Sequence, residues 1–208
     1  MMRKKVVYAI FILALGLAAC SQQPSQAVPI QSEAAMPLPE NTQVAVTQPI
    51  ALGIEAVNSL LIHAPQLAKD IQLAGGKWSE QQADGSVQSL LLDEHYAIGD
   101  LNADGQDDLV VIVVELMGGT GVFCSITAFI DQDGQLAQTN SILVDDRPVI
   151  HSLEIKDGEA ILNATVHGPG DPMATPSQDV TRTYHMLEDS LMLWRQSQQL
   201  PDGQTREI

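Results

Sequence analysis

The chain has 208 residues, with ten Lys plus Arg against 26 Asp plus Glu, two cysteines and 4% aromatic residues. That length holds one ordinary domain with some chain to spare and excludes a multidomain machine. The net charge of −16 becomes −19 once Arg3, Lys4 and Lys5 of the leader are set aside; a surface that acidic repels nucleic-acid phosphates. Two cysteines exclude both a disulfide framework and a four-cysteine zinc site.

Residues 1–20 read MMRKKVVYAIFILALGLAAC: a basic start, an uncharged apolar run from Val6 to Ala19, then Cys20. The run is shorter than the roughly 20 apolar residues a spanning helix needs, which marks a secretory signal. Its ending, Leu17-Ala18-Ala19-Cys20, resembles the bacterial lipobox. The resemblance implies diacylglycerol on the Cys20 thiol, a signal peptide over 1–19, and attachment by two or three acyl chains, enough for stable anchoring. An ordinary secretory signal that happens to end near a cysteine is the alternative. Ser21, rather than Asp, implies export to the outer membrane in a two-membrane envelope and the outer face in a single-membrane one.

From Ser21 to Ile50 prolines stand at 24, 29, 37, 39 and 49, Lys and Arg are missing, and Glu33 and Glu40 are the charges. Neither helical nor strand period is sustained, and proline blocks both structures. Residues 20–50 are therefore expected to be a lipidated cysteine followed by a disordered tether, which as a flexible coil spans on the order of 30 Å.

Residues 51–208 are expected to form a single, mainly β globular domain, with α+β as the alternative. Ile54 to Ile62 has apolar residues at 54, 57, 60 and 61, the spacing of one short N-terminal helix that ends before Pro65 and covers a sheet face. Strands follow near 67–73 and 87–92, with Gly75-Gly76 as the turn between them. Asp-Gly recurs at 84, 104, 133, 157 and 202 between apolar runs, a strong hairpin signal. Between those marks lie strands near 109–116, 122–130, 135–144, 149–156, 159–167, 180–187 and 190–196, joined by short connections into an antiparallel meander. The continuous run LVVIVVEL at 109–116 fits a central strand covered on both faces, whereas 149–167 alternates like a half-exposed sheet.

One segment carries recognisable chemistry. In IGDLNADGQDDLV, residues 98–110, Asp100, Asn102, Asp104 and Asp108, with the carbonyl of Gln106 and a turn at Gly105, match the first nine positions of an EF-hand-like calcium loop. Hard oxygen donors select Ca²⁺, with an affinity of about 0.1 to 1 mM typical of extracellular modules. Position twelve is Val111, not the bidentate glutamate, so the segment resembles the strand-loop-strand calcium loops of FG-GAP and VCBS-type repeats, in a single copy. The competing reading is an Asx-rich connection whose side chains bond their own backbone. Asp131-Gln132-Asp133-Gly134 repeats a fragment of the pattern and reads as a turn.

Over roughly residues 90–190 the chain is similar to a group of uncharacterised bacterial envelope proteins and lipoproteins that share a GDLNGDGxxDA(A/V)V segment, a GDRVxI strand, an HGPxDPMCCPT loop and T-R-T-Y. Here Asp145-Asp146-Arg147-Pro148 replaces the Gly-Asp-Arg-Val step, and Ala174-Thr175 replaces the paired cysteines. That second departure speaks against thiol or metal chemistry in the loop.

The histidines at 63, 95, 151, 167 and 185 show no ligand spacing, Cys124 reads as a small buried hydrophobe, and Gly118-Gly119-Thr120-Gly121 leads into a strand rather than a helix. The long connection His167-Gly168-Pro169-Gly170-Asp171-Pro172 onward is the expected partner loop, with His167 and Asp171 as its candidate residues, placed beside the acidic loop. No nucleophile motif is present. The leading expectation is a non-catalytic binding or structural lipoprotein module of the cell envelope. Its partners are the membrane, through Cys20, and an unknown envelope protein or glycan; nucleic acid is excluded. The alternatives are an envelope hydrolase using a carboxylate pair near the HGPGDP loop, and an accessory lipoprotein of an envelope complex.

Overall fold

The computed structural model describes residues 52–200 and 202–208. The signal peptide, Cys20 and the tether expected over 1–50 lie outside them. One short helix, α1 (Ile54–Asn58), precedes β1 (Leu61–Ala64), β2 (Lys69–Gln72), β3 (Lys77–Gln81), β4 (Val87–Gly99), β5 (Asp108–Leu116), β6 (Phe123–Gln132) and β7 (Gln135–Asp146). Then follow β8 (Val149–Lys156), β9 (Glu159–Val166), β10 (Gln178–Leu187), β11 (Ser190–Gln199) and β12 (Thr205–Glu207). The protein is mainly β and antiparallel, as its hairpin-dense sequence requires.

The single meander expected from the sequence is in fact two. β3 to β7 form one five-stranded sheet in sequence order, β8 to β12 form another, and β1–β2 stand apart as a hairpin. The chain crosses from the first sheet to the second at Asp146–Val149. There Arg147 takes φ +52, its N–H donates to the Val122 carbonyl at 2.7 Å and its guanidinium reaches the carbonyls of Met173 and Thr120.

Burial on β5 explains its unbroken apolar run. Val110 and Ile112 pack toward the second sheet, among Leu153, Leu162, Ala164 and Tyr184. Leu109, Val111 and Val113 pack on the other side, against Ile62, Ile71 and Val57 of the hairpin and helix. A strand in the middle of three layers needs apolar residues at every step. β9 alternates instead: Ala160, Leu162, Ala164 and Val166 are buried, while Glu159, Asn163 and Thr165 face outward between them. Truncating Leu162 to Ala would cost about 2–5 kcal/mol of cavity and transfer energy.

Two Asp-Gly pairs make the two-residue turns their sequence forecasts. Asp133-Gly134 (φ +57, +87) and Asp157-Gly158 (φ +53, +76) both lie in the left-handed region, as a type I′ turn requires.

The expected helix over 54–62 is shorter than its spacing implies. It stops at Asn58, and Leu61–Ala64 is strand β1, paired with β2 through Ile62↔Ile71 and Ala64↔Lys69. Buried residues at 60, 62 and 64 have a period of two, and a ladder satisfies backbone groups that a one-turn helix leaves open. Strand β3 has no apolar pattern to announce it, because four of its five residues are exposed at the sheet edge. The strand expected at 87–92 runs on to Gly99 through a bulge at Asp93–His95, where the Asp93 carboxylate accepts the His95 backbone N–H at 2.9 Å.

Candidate functional site

The acidic loop between β4 and β5 is built on its own backbone. Asp100 accepts the N–H groups of Asp104 (3.2 Å) and Gly105 (3.0 Å). The Asn102 carbonyl oxygen also accepts the Asp104 N–H. Asp104 accepts the Gln106 N–H at 2.8 Å and the Asn102 amide at 2.8 Å, contacts that hold its carboxyl below the ordinary range. Ala103 (φ +64) and Gly105 (φ +87) supply the turn.

Asp108 behaves differently. It is fully buried, and its two oxygens accept the N–H groups of Leu101 (2.9 Å) and Asp131 (3.0 Å). Burial pushes its carboxyl upward against those two bonds. It therefore ties the loop to the end of β6.

The donors fit Ca²⁺ in kind, since Asp100, Asn102, Asp104 and the Gln106 carbonyl are all hard oxygens. They fit less well in arrangement. Asp108 is committed to two backbone amides, and among the described residues no three His, Cys, Asp or Glu side chains converge as a metal-binding group. An open depression of about 430 Å³ adjoins the loop, lined by Asp100, Ala103 and Asp157 among others.

The HGPGDP loop between β9 and β10 is pinned at both ends. The Asp145 carboxylate accepts the His167 backbone N–H at 2.5 Å and lies 3.0 Å from Nδ1 of the same residue, while His167 Nε2 lies 3.1 Å from the Pro172 carbonyl. Both partners of the ring are acceptors, an arrangement that favours the doubly protonated imidazolium. The Asp145 contact accordingly raises its pKa. Asp171 accepts the N–H groups of Gly168 (2.8 Å) and Ser177 (2.9 Å) and the Ser177 hydroxyl (2.8 Å). These bonds hold its carboxyl below the ordinary range.

The two loops are not neighbours, which corrects the sequence expectation. Asp108 starts β5 beside Gly99, whereas Asp145 faces Cys124, which in turn faces Val114 near the other end of β5. Six residues at about 3.3 Å each separate the two ends by roughly 20 Å. Nor, among the described residues, does a fully buried carboxylate share the HGPGDP loop's side of the sheet. Glu115 lies on the hairpin side, where it accepts the N–H groups of Gln66 and Leu67, both at 3.0 Å, and Asp108 lies at the far end.

Each histidine lies against a carboxylate. His63–Asp70, His95–Asp93 and His185–Glu159 are hydrogen-bond pairs of 2.6–2.7 Å, and His151–Asp179 is a looser contact at 3.9 Å. Cys124 is a buried free thiol, pushed up to about 12 by burial and by the nearby Asp93, Asp146 and Asp145.

Trp194 is the residue that sequence reasoning missed. It sits in a strand read as ordinary sheet, yet it is 68% exposed. Its signal was present in part: an aromatic between Leu193 and Arg195 breaks strict alternation, which is how a bulge reads in sequence.

The fold and these sites define an antiparallel β module of two stacked meanders with self-braced loops. No family model, no curated protein and no solved structure matches the chain.

Proposed function

We propose that this chain is an envelope lipoprotein, cut before Cys20 and held at a membrane by acyl chains on that cysteine. It presents residues 51–208 as a non-catalytic binding or structural module at the end of a tether. The observation that carries the reading is the sequence of basic start, apolar run and Leu17-Ala18-Ala19-Cys20, followed by the Pro- and Gln-rich segment. In a two-membrane envelope the module belongs at the outer membrane, with an envelope protein or glycan as partner.

The hydrolase alternative receives no comparable support. Asp171 is occupied in bracing its own loop, whereas a glycosidase carboxylate must face a bound sugar. Calcium enters as structural reinforcement: Asp100, Asn102, Asp104 and the Gln106 carbonyl would hold the ion, with Asp108 as brace.

The test is fatty-acid labelling in a bacterial host. Wild-type chain should incorporate radiolabelled palmitate and partition into the membrane fraction. Cys20→Ser should lose the label and be released or remain unprocessed. Unlabelled wild-type protein would remove the lipoprotein reading.

A further inference from the structure

We propose that Asp157 is a modification site, the first of this chain's five Asp-Gly pairs to rearrange to isoaspartate in the folded protein. The inference goes beyond the lipoprotein reading and is independent of it.

Asp-Gly recurs at 84, 104, 133, 157 and 202. Glycine has no Cβ to crowd the nitrogen that must attack, so this pair meets little steric resistance. The Gly nitrogen bonds to the Asp side-chain carbon Cγ. The nitrogen gives up its proton, the protonated carboxyl gives up its hydroxyl, and a water leaves behind a five-membered succinimide ring. Water then adds back. Opening at Cγ restores aspartate, whereas opening at the former main-chain carbonyl leaves the chain running through Cβ and Cγ, which is isoaspartate. One water leaves and one returns, and nothing is oxidised or reduced.

The fold discriminates among the pairs through the glycine N–H. A nitrogen whose hydrogen is held by an acceptor must give up that bond before it can turn toward Cγ. Gly85 donates to the Gln82 carbonyl at 3.0 Å, and Gly203 to the Leu200 carbonyl at 2.9 Å. Gly105 donates to Asp100 at 3.0 Å and Gly134 to Asp131 at 2.6 Å. Three of the aspartates are engaged as well: Asp84 by Ser86, Asp104 by Gln106 and Asn102, and Asp202 by Gln204. Gly158 differs. It belongs to no ladder pair of β8 and β9, and among the described residues neither its N–H nor the exposed Asp157 carboxylate has a hydrogen-bond partner.

The turn at 133 supplies a comparison within the molecule. Asp133-Gly134 and Asp157-Gly158 share one backbone geometry, φ +57 and +87 against +53 and +76, and each closes a hairpin, β6–β7 and β8–β9. Two residues before the aspartate they differ. Asp131 caps the Gly134 N–H, whereas Ile155 has no acceptor in its side chain to offer. Conformation is matched, and the cap is the variable.

Position gives the change a consequence. The β8–β9 turn stands against the acidic loop: a Cβ on Gly158 would lie 3.9 Å from the Leu101 carbonyl oxygen, and Asp157 and Gly158 line the open depression with Asp100 and Ala103. Isoaspartate adds a methylene to the main chain. A two-residue turn matches the twist of its strands only at its own length, so the ladder end at Lys156↔Glu159 and that wall of the depression both shift.

The experiment ages the full chain in detergent for several weeks at neutral pH and physiological temperature, beside the same chain in concentrated urea. Isoaspartate is quantified by enzymatic methyl transfer to its carboxylate and located by electron-transfer fragmentation of its peptides. In urea the five pairs should convert at similar rates. In the folded protein Asp157 should convert several-fold faster than each of the others. Asp157→Glu should abolish the signal at 157. Asp131→Ala should raise conversion at Asp133 several-fold and leave that at Asp157 unchanged, with thermal melting showing that both variants are folded.

Another pair converting as fast as Asp157 in the folded chain, or Asp157 staying intact while the chain in urea converts, overturns the assignment. The same ranking in urea as in the folded protein also overturns it, because the preference would then belong to the sequence and not to the fold. An Asp131→Ala protein that melts normally and still spares Asp133 overturns the hydrogen-bond cap as the cause.

Discussion

Asn140 of β7 and Leu191 of β11 join the two sheets by a reciprocal pair of hydrogen bonds. The Asn140 amide donates to the Leu191 carbonyl at 3.0 Å, and the Leu191 N–H donates to the Asn140 side-chain oxygen at 2.7 Å. A side-chain amide thus stands in for a neighbouring strand, satisfying one residue of β11 from the opposite layer.

Asn140→Ala strands both backbone groups of Leu191, a residue that is itself buried. The expected loss is about 1–3 kcal/mol, read as a lower urea midpoint. Asn140→Asp keeps the acceptor and loses the donor, so it should also destabilise at neutral pH. An unchanged midpoint in both variants would remove the pair from the forces holding the sheets together.

The acidic loop separates into brace and surface. Asp108→Ala should destabilise by about 1–3 kcal/mol through two unpaired N–H groups, whether or not Ca²⁺ is present. Asp104→Ala should cost less in EDTA. Saturating Ca²⁺ at 100 times its dissociation constant adds about 2.7 kcal/mol to a single-site binder; the wild-type melting midpoint should rise with millimolar Ca²⁺, and the Asp104→Ala midpoint should not. An unresponsive wild type assigns the loop to backbone bracing alone.

Glu115 sets one arm of the pH dependence. It is fully buried, with Oε1 lacking a partner, and desolvation raises its carboxyl above the ordinary range despite the Leu67 and Gln66 amides. The folded chain therefore binds this proton more readily than the unfolded chain. Its contribution to stability is complete below the ordinary carboxylate range and is lost as pH rises through the raised value. Denaturant midpoints from pH 4 to 8 should show Glu115→Gln gaining on wild type as pH rises; a constant difference would contradict this.

His167 acts in a different pH window. Its raised pKa means that the imidazolium clamp between Asp145 and Pro172 is intact below the ordinary histidine value of 6.5 and is lost as pH rises through the elevated one. NMR titration of the imidazole should give a midpoint above 6.5. Amide exchange at Gly168 and Ser177 should quicken above that midpoint, and Asp145→Asn should lower it.

Cys124 should be inert in the folded protein. A buried thiol pushed up to about 12 supplies almost no thiolate at pH 8. A disulfide reagent should label it only on the timescale of unfolding, and prompt labelling of native protein would show that the core between the sheets opens readily.

Much of this architecture is written locally. The Asp-Gly pairs at 133 and 157 need no distant partner to form their turns, because the left-handed conformation is a property of two residues. The alternation of Ala160, Leu162, Ala164 and Val166 states which side of β9 is buried. The apolar run of β5 likewise states that both of its sides are covered. The proposed leader and lipid attachment at Cys20 rest on sequence alone.

Tertiary structure decided the rest, since periodicity names a buried side without naming what covers it. It divided one apparent meander into two sheets at Arg147 and drew the last two residues of the expected N-terminal helix, Leu61 and Ile62, into β1 once β2 was there to pair with. It also set the loops of Asp108 and His167 at opposite ends of the strands. It exposed Trp194 as well: a bulge opposite Thr183 and Tyr184 depends on the register of two strands, and register is fixed by packing across the layers rather than by either strand's own residues.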